Sequence, residues 1–497
     1  MGYGEKRGKF FRARWRGPTG DLESMSGFLT KKAADTYAND QEAAIRAGRY
    51  VDPRAGQITL LDWVNIWYPA QDLELTTLET YRSLLENIVL PEFGERSLAS
   101  LAAEEIAAWE KDLVSSKRCS ARTAKDARSV LGTALGAAIP ARIQVNPAER
   151  KRATGKKATR RVQRVMQARK AWATPLEALL MAERVAAMSG EENDFIKLVF
   201  IAYTGVRWSE AVGLDPRCVR GDTIDLDWKL YELNGRFYRG HPKDGSIRPI
   251  DAPPFLSALL GRQEVRTCTC RTDAEEPYCS GGRYVFLGPG GGHARRSDFA
   301  RRFFRPAADG WYAARGGKSA RVAAPVLADA ATSWPGRVIN PPWPAGVDSY
   351  PRGRGVPLLA ADVPVANWLP IMKDLTPHGL RHSHETWMAE DRIADALRDE
   401  RMGHIGDGSM RAHYTHVSDQ MRGELVDALQ KRWEQSLADR AALERHWDQR
   451  VPSSVPLLNE LLEPYRDGVV TAIGSARPRR ALQPARRERV RMISARR

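Results

Sequence analysis

The sequence has no long apolar run and few cysteines. No stretch approaches the roughly twenty consecutive apolar residues of a membrane-spanning helix. The opening residues, "MGYGEKRGKFF", lack the apolar run of a secretory signal peptide. Five cysteines, an odd number in 497 residues, argue against a disulfide framework and indicate a reducing compartment. These absences predict an intracellular protein.

Two familiar catalytic signatures are also missing. His384 and Glu385 could open an H-E-x-x-H zinc helix, but position 388 is Met, so the second ligand is absent. No Walker phosphate loop occurs, and no carboxylate cluster suits Mg²⁺. The sequence therefore predicts neither a zinc protease nor an ATP-driven enzyme.

The segment around His384 is nevertheless rich in chemistry. "TPHGLRHSHETWM", residues 376–388, contains three histidines and an arginine. His378 precedes Arg381 by three residues, a spacing that puts both side chains on one helix face, aimed at the same point. A cation and an imidazole at a helix N-terminus suit an oxyanion such as a phosphate.

The charge balance points the same way. Lys and Arg number 77 against 61 Asp and Glu, a net charge of +16. A large protein this basic usually meets a polyanion, and nucleic acid is the leading candidate. A generally basic proteome is the alternative explanation.

The first segment, residues 1–56, reads as a small β-β-α unit. "KFFRARWR" alternates aromatic and basic residues, "GPTGD" is a turn, and "LESMSGF" returns. Thr30 then caps a helix that Gly48 ends. Arginines and aromatics on such strands suit DNA binding, and a plain solvated sheet explains them equally well.

Residues 57–150 have helical periodicity throughout and predict a four-helix unit. Within it, Thr76 and Glu79 have the spacing of a capping box. The basic residues 151–171 that follow read as a linker, either lying along a phosphate backbone or simply solvated.

Residues 172–430 alternate helical and strand patterns, which indicates a larger mixed α/β domain. Within it, residues 313–368 are rich in Gly, Pro and Ala and read as an insertion or mobile loop. Residues 431–497 predict a C-terminal helix and an Arg-rich tail. The predicted fold class is multidomain, mainly α with small β-sheets (α+β).

Four further residues in this domain stand in suggestive local patterns. Arg207 follows Thr-Gly at a turn that opens a helix, and Lys243 sits in a Pro-Lys-Asp-Gly turn that predicts a hairpin tip. His404 follows a glycine, and Tyr414 lies ten residues later. Taken singly, each has an ordinary structural explanation: a surface ion pair, a solvated lysine, or packing.

Their order is more informative. "TG-x-R-x-x-E" runs from Thr204 to Glu210, and "H-x-L-R-H-S" is met by "HGLRHS" from His378. "PKDGSIRP" contains Lys243, "MGH" ends at His404, and "HYTHVS" contains Tyr414. Together these motifs resemble the tyrosine recombinase (phage integrase) family, with Met402 a mild departure from the usual Leu of the Gly-His motif. The resemblance covers nearly the whole chain, apart from residues 313–368.

The resemblance implies a domain for each segment. Residues 1–56 look like an arm-type DNA-binding domain, 57–150 like a helical, SAM-like core-binding domain, and 172–430 like the catalytic domain. It also implies double-stranded DNA with core and arm attachment sites as partner, and a homotetramer on DNA. An excisionase and a DNA-bending accessory protein would be further partners, with the bacterial nucleoid in the cytoplasm as location.

The resemblance further implies six catalytic positions, and their chemistry is coherent. Arg207 and Arg381 can bind the non-bridging oxygens of a phosphodiester. His378 and His404 can donate hydrogen bonds, and His378 can also take the proton of Tyr414. The remaining roles are those of Tyr414, which would attack to give a 3′-phosphotyrosyl link, and Lys243, which would protonate the 5′-oxygen if arginines lower its pKa.

The expected function is a site-specific recombinase that integrates or excises a mobile element such as a phage through a Holliday junction. No cofactor, metal or ATP is expected, because the covalent link retains the energy of the phosphodiester. Two rivals stay open: a type IB topoisomerase-like enzyme, and a catalytically inactive DNA-binding relative.

The segment "CTCRTDAEEPYC" raises a separate question. Cys268, Cys270 and Cys279, with His293 downstream, could hold a zinc ion, although the spacing is not a standard one. Reduced surface thiols are the alternative and the preferred interpretation.

Overall fold

A computed structural model describes most of the chain. The described residues are 2–48, 50, 52, 54–150, 170–242, 245–270, 278–279, 281–312, 321–322, 336–339, 365–368, 371–372, 374–404, 416–445, 453 and 455–466. The chain divides into two compact units, residues 1–165 and 166–497. Among the described helices, none has the length and apolar character needed to cross a bilayer.

The first unit opens with a three-stranded antiparallel sheet in the order β1-β2-β3. Its strands are β1 Tyr3–Arg7, β2 Phe10–Arg16 and β3 Leu22–Phe28, followed by helix α1 Lys31–Arg46. The sequence predicts only the second and third strands. The predicted cap is present: the Thr30 side chain accepts a hydrogen bond from the backbone N–H of Ala33.

Strand β2 separates two kinds of side chain by alternation. Ala13 and Trp15 are buried and pack with Ala34 and Ala38 of α1. Because successive residues point to opposite faces, the arginines between them lie on the face away from the helix. These are Arg12, Arg14 and Arg16.

The rest of the first unit is helical and has a core of its own. Its helices are α2 Leu60–Trp67, α3 Leu75–Leu84, α4 Leu90–Phe93, α5 Ala103–Ser115 and α6 Ala121–Gly136. Leu60, Val89, Ile106 and Leu131 are completely buried in this core. Nearly all of the predicted linker 151–171, from 151 to 169, lies outside the described residues.

The capping box predicted at Thr76 and Glu79 is wrong. Helix α3 already begins at Leu75 after Glu74, and no side chain caps it. Thr76 therefore lies inside the first turn, where its backbone is helical and it cannot serve as the N-cap residue.

The second unit mixes helices with short strands. Its helices are α7 Pro175–Ser189, α8 Glu192–Thr204, α9 Trp208–Val212, α10 Pro254–Arg262, α11 Arg296–Phe299, α12 Arg305–Asp309, α13 Pro377–Glu390, α14 Asp395–Met402, α15 Asp419–Arg445 and α16 Pro456–Arg466. Its strands are β4 Val219–Arg220, β5 Thr223–Leu226, β6 Lys229–Leu233, β7 Arg236–Gly240, β8 Arg248–Asp251, β9 Arg266–Thr267, β10 Arg283–Tyr284, β11 Trp311–Tyr312, β12 Arg321–Val322, β13 Gly336–Ile339 and β14 Val365–Trp368. The mainly helical character with small sheets agrees with the predicted fold class.

Strands β7 and β8 correct one expectation. Strand β8 pairs with β5 in the sheet β4-β5-β8, whereas β7 pairs with β6 in a separate two-stranded sheet. Because β7 and β8 belong to different sheets, the segment between them, residues 241–247, connects two sheets. The two strands that flank Lys243 therefore do not form the predicted hairpin, and Lys243 itself lies outside the described residues.

An aromatic cluster forms the centre of this unit. The ring of Tyr203, at the end of α8, lies 5.1 Å from that of Trp387 on α13. The ring of Phe255, on α10, stacks on Trp433 of α15 at 4.4 Å. Tyr203 and Trp387 are almost completely buried, so α8 and α13, which lead into the candidate site, share one rigid core.

Helix α15 extends through the boundary predicted at residue 430. Its buried residues lie on both sides of that position, from Leu425 to Ala441, and belong to the same core as α8 and α13. Only short strands of the segment 313–368 are described, with β13 antiparallel to β14. Most of that segment and the tail from 467 onwards lie outside the described residues, so both interpretations stay predictions.

Candidate active site

The turn between α8 and α9 positions Arg207. Helix α8 ends at Gly205, whose φ of +67° lies in the left-handed region. A Cβ at this position would lie 2.7 Å from Cδ2 of His384 and 2.8 Å from Sδ of Met402. The backbone angle and the close contacts both require glycine. Two residues later, Arg207 is the N-cap residue of α9.

Glu210 fixes the guanidinium group of Arg207. The backbone N–H of Arg207 donates to Oε2 of Glu210 at 2.8 Å, and its Nη1 donates to Oε1 at 2.9 Å. Glu210 is 1% exposed and accepts a further bond, at 3.0 Å, from Nη2 of Arg248. Burial raises the pKa of Glu210, but the charge and hydrogen bonds of Arg248, followed by those of Arg207, lower it overall. A buried carboxylate thus holds two arginines in place.

Arg381 approaches the same place from α13. It is 4% exposed, and its Nη1 donates to the carbonyl oxygen of Gly205 at 2.6 Å while its Nη2 donates to that of Met402. Burial, then repulsion by Arg207, lowers the pKa of Arg381 to about 10. The group is still charged at neutral pH, and the two carbonyls fix its plane.

His404 is the exposed partner of Arg381. It follows Gly403 after α14, its side chain is 51% exposed, and its Nε2 lies 3.3 Å from Nη2 of Arg381. Its Nδ1 lies 3.7 Å from Oδ1 of Asp399. Because the guanidinium group has only donors, Nε2 of His404 is the acceptor in this contact.

His378 lies at the start of α13, one turn before Arg381. Thr376 caps the helix by accepting from the N–H of Gly379 at 3.1 Å, and the His378 ring meets that of His382 at 4.8 Å. The described structure contains no hydrogen bond between His378 and Arg381. They share a helix, with Arg381 buried and His378 exposed.

Positive neighbours set the protonation state of His378. Burial, then repulsion by His382, Arg381, Lys170 and Arg296, lowers the pKa of His378 to about 4. Because the side chain of His378 is exposed, solvent offsets part of the burial effect. The repulsion by the positive neighbours lowers the pKa in the same direction. At neutral pH the imidazole is therefore uncharged and able to accept a proton.

The two remaining predicted residues, Lys243 and Tyr414, lie outside the described residues. The chain just after Lys243 is described, and it returns to the site. Ser246 Oγ accepts a bond from Nη1 of Arg207 at 3.3 Å. Among the predicted residues, Arg381 and His404 contact each other directly, and Arg207 reaches the same turn through its Nη2, which donates to the carbonyl oxygen of Gly403 at 3.5 Å.

Two supporting arginines were not singled out from the sequence. Arg248 is 4% exposed and donates through Nε to the carbonyl oxygen of Arg401 at 2.8 Å, in addition to its bond with Glu210. Arg401 is 3% exposed and donates through Nε to Nε2 of His384 at 2.9 Å. His384 is therefore a neutral, buried acceptor under the turn at Gly205, with a structural role.

The cysteine cluster lies elsewhere in this unit. Cys268 and Cys279 are 6% and 4% exposed, and His293 is 8% exposed. The interpretation as surface thiols is therefore wrong for Cys268 and Cys279, whereas Cys270 is partly exposed.

Comparisons with known proteins give remote likenesses of fold. Neither a protein-family model nor a curated protein matches the chain. Among solved structures, the Tn1549 transposon integrase in complex with transposon right end DNA aligns at 15% identity and a TM-score of 0.45, over 74% of this chain and 98% of that chain. A lambda integrase dimer bound to a COC′ core site aligns at 15% identity and a TM-score of 0.40, over 86% of this chain and 95% of that chain. A lambda integrase tetramer bound to a Holliday junction aligns at 15% identity and a TM-score of 0.41, over 84% and 98%. These likenesses concern the fold alone, and the function is derived below from the chain's own residues.

Proposed function

We propose that this chain is a tyrosine-type site-specific DNA recombinase, which cuts and rejoins DNA through a 3′-phosphotyrosyl link. One observation carries the proposal: the guanidinium groups of Arg207 and Arg381 are both fixed at the Gly205 turn, beside the exposed imidazole of His404. Two fixed guanidinium forks next to an exposed imidazole suit a phosphodiester, whose charge grows on the non-bridging oxygens as the bond breaks.

The surrounding contacts favour binding without rearrangement. Arg207 is already hydrogen-bonded to a protein carboxylate, and Arg381 to a backbone carbonyl. Neither guanidinium group therefore has to reorient when DNA binds. Arg207, Arg248 and Arg381 bring three positive charges to this place. The carboxylate of Glu210 neutralises only one of them. The remaining positive field attracts the phosphate.

The reaction that we propose transfers a phosphoryl group twice. The Tyr414 hydroxyl attacks phosphorus and gives its proton to neutral His378, while the bond from phosphorus to the 5′-oxygen breaks. Lys243 supplies the proton for that 5′-oxygen, and a 5′-hydroxyl of another strand later reverses the step. Neither Tyr414 nor Lys243 is among the described residues, so both roles rest on the motifs in which they stand.

The first sheet suits a second DNA contact. Arg12, Arg14 and Arg16 share the face of β2 that does not meet α1, and Tyr3 and Phe10 are 47% and 48% exposed. Arginines beside exposed aromatic rings suit a phosphate backbone with adjacent sugars and bases. We assign this face to separate arm-type sites, and the assembly on DNA to a tetramer that forms Holliday junctions in moving a phage or another mobile element.

The test is covalent capture on nicked DNA. Wild-type protein should give an adduct that resists denaturant, with a tyrosine at its DNA end, whereas Tyr414→Phe should bind DNA and give none. Tyr81→Phe removes a tyrosine hydroxyl in the first compact unit but keeps the ring stacked on Trp67, so it should behave as wild type. Adduct from Tyr414→Phe would overturn the assignment.

The same assay separates the rivals. Holliday junctions are expected from a recombinase, whereas relaxation of supercoiled DNA without junctions would support the topoisomerase-like alternative. Specific DNA binding with no adduct from any nicked site would support the inactive relative.

A further inference from the structure

The segment between β9 and α11 assembles a site that the proposed reaction does not use. Cys268 and Cys270 follow β9, Cys279 precedes β10, and His293 follows the turn after β10. The backbone N–H of Cys268 donates to the carbonyl oxygen of Gly282 at 2.8 Å, and that of Thr269 donates to Gly291 at 2.9 Å. Leu287 and His293 form a β-bridge. Backbone bonds thus bring three separate stretches of chain to one point.

At this point the four side chains offer a compact donor set. One ligand atom from each of Cys268, Cys270, Cys279 and His293 lies within 4.8 Å of every other. The sulfurs of Cys268 and Cys279 are 3.7 Å apart, and the sulfur of Cys279 is 3.4 Å from Nε2 of His293. A disulfide would require a sulfur–sulfur distance of about 2.05 Å, so these thiols are not bonded to each other.

Two of the distances between ligand atoms match those around a tetrahedral zinc ion. Zn–S bonds of about 2.3 Å at tetrahedral angles separate two sulfurs by about 3.8 Å, and a Zn–N bond of about 2.1 Å puts nitrogen about 3.6 Å from sulfur. The observed 3.7 Å and 3.4 Å agree with this geometry. The backbone N–H of Cys270 also donates to the sulfur of Cys268 at 3.2 Å, a bond that favours a thiolate.

Burial adds a second reason for a ligand. His293 is 8% exposed, and in the described part of the chain its Nδ1 has no hydrogen-bond partner, while its Nε2 faces the Cys279 sulfur. A contact to sulfur satisfies a buried imidazole nitrogen only weakly, and coordination of a metal ion by Nε2 would replace that weak contact with a strong bond. Three sulfurs and one nitrogen suit zinc, whereas Mg²⁺ and Ca²⁺ prefer oxygen ligands.

We propose that Cys268, Cys270, Cys279 and His293 form a structural zinc site. Four protein ligands leave no open position for substrate, so the ion would act on the fold. Strand β7 is the element it would brace. The N–H of Cys279 donates to the carbonyl oxygen of Phe237 at 2.8 Å, and the Phe237 ring lies 4.9 Å from that of His293.

The position of β7 gives the site its consequence. The strand ends at Gly240, three residues before Lys243. A bridge between Tyr238 and Tyr278 continues the attachment along the strand. The zinc site would therefore anchor one end of the connection that carries Lys243, and its loss would loosen β6 and β7 while α13 stays in place.

The first experiment measures metal in the full-length protein. Protein expressed with zinc in the medium and purified without chelator should contain one zinc per chain by plasma mass spectrometry. Titration with a mercurial thiol reagent should release that zinc to a chromogenic chelator, with modification of Cys268, Cys270 and Cys279 mapped by peptide mass spectrometry. Less than about a tenth of an equivalent of zinc, or none released as these thiols react, would overturn the proposal.

Variants then assign the ligands. Cys270→Ser, at the least buried of the three cysteines, and His293→Asn should each lower the zinc content at least threefold. Cys218→Ser changes a buried cysteine outside the cluster and should retain one equivalent. Reconstitution with cobalt checks the donor set without a mutation. Tetrahedral cobalt with thiolate ligands gives intense d–d absorption bands in the visible range and sulfur-to-cobalt charge-transfer bands. A pale octahedral cobalt spectrum, or full zinc content in both ligand variants, would exclude the site.

Hydrogen exchange tests the brace independently of catalysis. After removal of the metal, amides of β6 and β7 should exchange at least tenfold faster, while those of α13 remain unchanged. Unchanged exchange in β6 and β7 would reject the bracing role. Because none of these measurements uses DNA, the zinc site and the proposed recombinase activity succeed or fail separately.

Discussion

At the scale of single residues, His378 is the side chain whose protonation matters most to the proposed reaction. Its pKa in the folded protein is lowered to about 4 from a usual value near 6.5, so it is neutral at pH 7. Between these two values the unfolded chain binds a proton that the folded chain does not. This residue's contribution to stability is therefore present above pH 6.5 and is lost as the pH falls towards 4.

The pKa of His378 can be read directly by NMR of the histidine rings, with the signal assigned by its absence in His378→Gln. We expect a midpoint below 6.5. Arg296→Gln removes an exposed cation that lowers the pKa, so the midpoint should rise. Arg302→Gln removes an exposed cation that is not among those neighbours and should leave the midpoint unchanged. A wild-type midpoint at or above 6.5 would remove the argument for His378 as proton acceptor.

The residue scale also shows what the sequence can identify. Arg207, Arg381 and His404 stand in short local patterns, so they are recognisable without a structure. Arg248 is not, because its importance comes from Glu210, which lies 38 positions away in the chain. A short motif identifies the residue types at neighbouring positions. It does not identify a contact between residues that only folding brings together.

At the scale of elements, α15 joins the C-terminal part of the chain to the core. Nε and Nη2 of Arg440 donate to the carboxylate of Glu183 on α7 at 2.9 and 2.8 Å, and both residues are buried. Removing one member leaves the other charge buried without its partner. Breaking such a pair costs about 3–5 kcal/mol, whereas replacing both members by apolar residues is often nearly neutral.

Arg440→Met should therefore lower the free energy of unfolding of the second unit by about 3 kcal/mol or more. The double variant Glu183→Leu with Arg440→Met should recover most of this loss. Lys431→Met, at an exposed position on the same helix, serves as the control. Urea unfolding followed by tryptophan fluorescence measures all three, and a loss below about 1 kcal/mol in Arg440→Met would contradict the expected role.

Elements differ in how well the sequence predicts them. The long helices follow from apolar periodicity, although α15 begins at Asp419, before the boundary at residue 430 after which the sequence predicts the C-terminal helix. Strand pairing is decided by contacts across the fold, so the turn chemistry at Lys243 suggested a hairpin although β7 and β8 have different partners. The sequence does not predict strand β1, because its five residues begin with Tyr3 and Gly4 and show no alternation of apolar residues.

At the scale of the whole molecule, the net charge of +16 includes two groups of arginines for which we propose separate tasks. The open face of β2 is far in sequence from the Gly205 turn and belongs to the other compact unit. Arg12→Gln with Arg16→Gln changes that face and leaves Ala13 and Trp15 in their core. Each lost phosphate contact reduces the salt slope of binding by about 0.9.

We expect this double variant to bind arm-type DNA at least tenfold more weakly, with a salt slope smaller by about 2, while cleavage of a core-only substrate is unchanged. Lys32→Gln removes an exposed charge on α1 and should alter neither. Filter binding over a range of salt concentrations and adduct formation on core DNA measure the two effects. Equal losses on arm and core substrates would contradict separate tasks for the two surfaces.

The connection between β7 and β8 has one anchor at each end. At the β8 end, Ser246 accepts a hydrogen bond from Arg207. At the β7 end, the carbonyl oxygen of Phe237 accepts a hydrogen bond from Cys279 of the cysteine cluster. If the two sheets shifted against each other, the ends of this connection would move apart or together, while the bonds of Arg207 and Arg381 to Glu210 and the Gly205 carbonyl oxygen lie outside it. Binding of the phosphate by Arg207 and Arg381, and protonation of the 5′-oxygen by Lys243, would then depend on different parts of the chain. If the proposed function is correct, the chain could then keep DNA bound at the arginines while proton transfer to the 5′-oxygen does not take place.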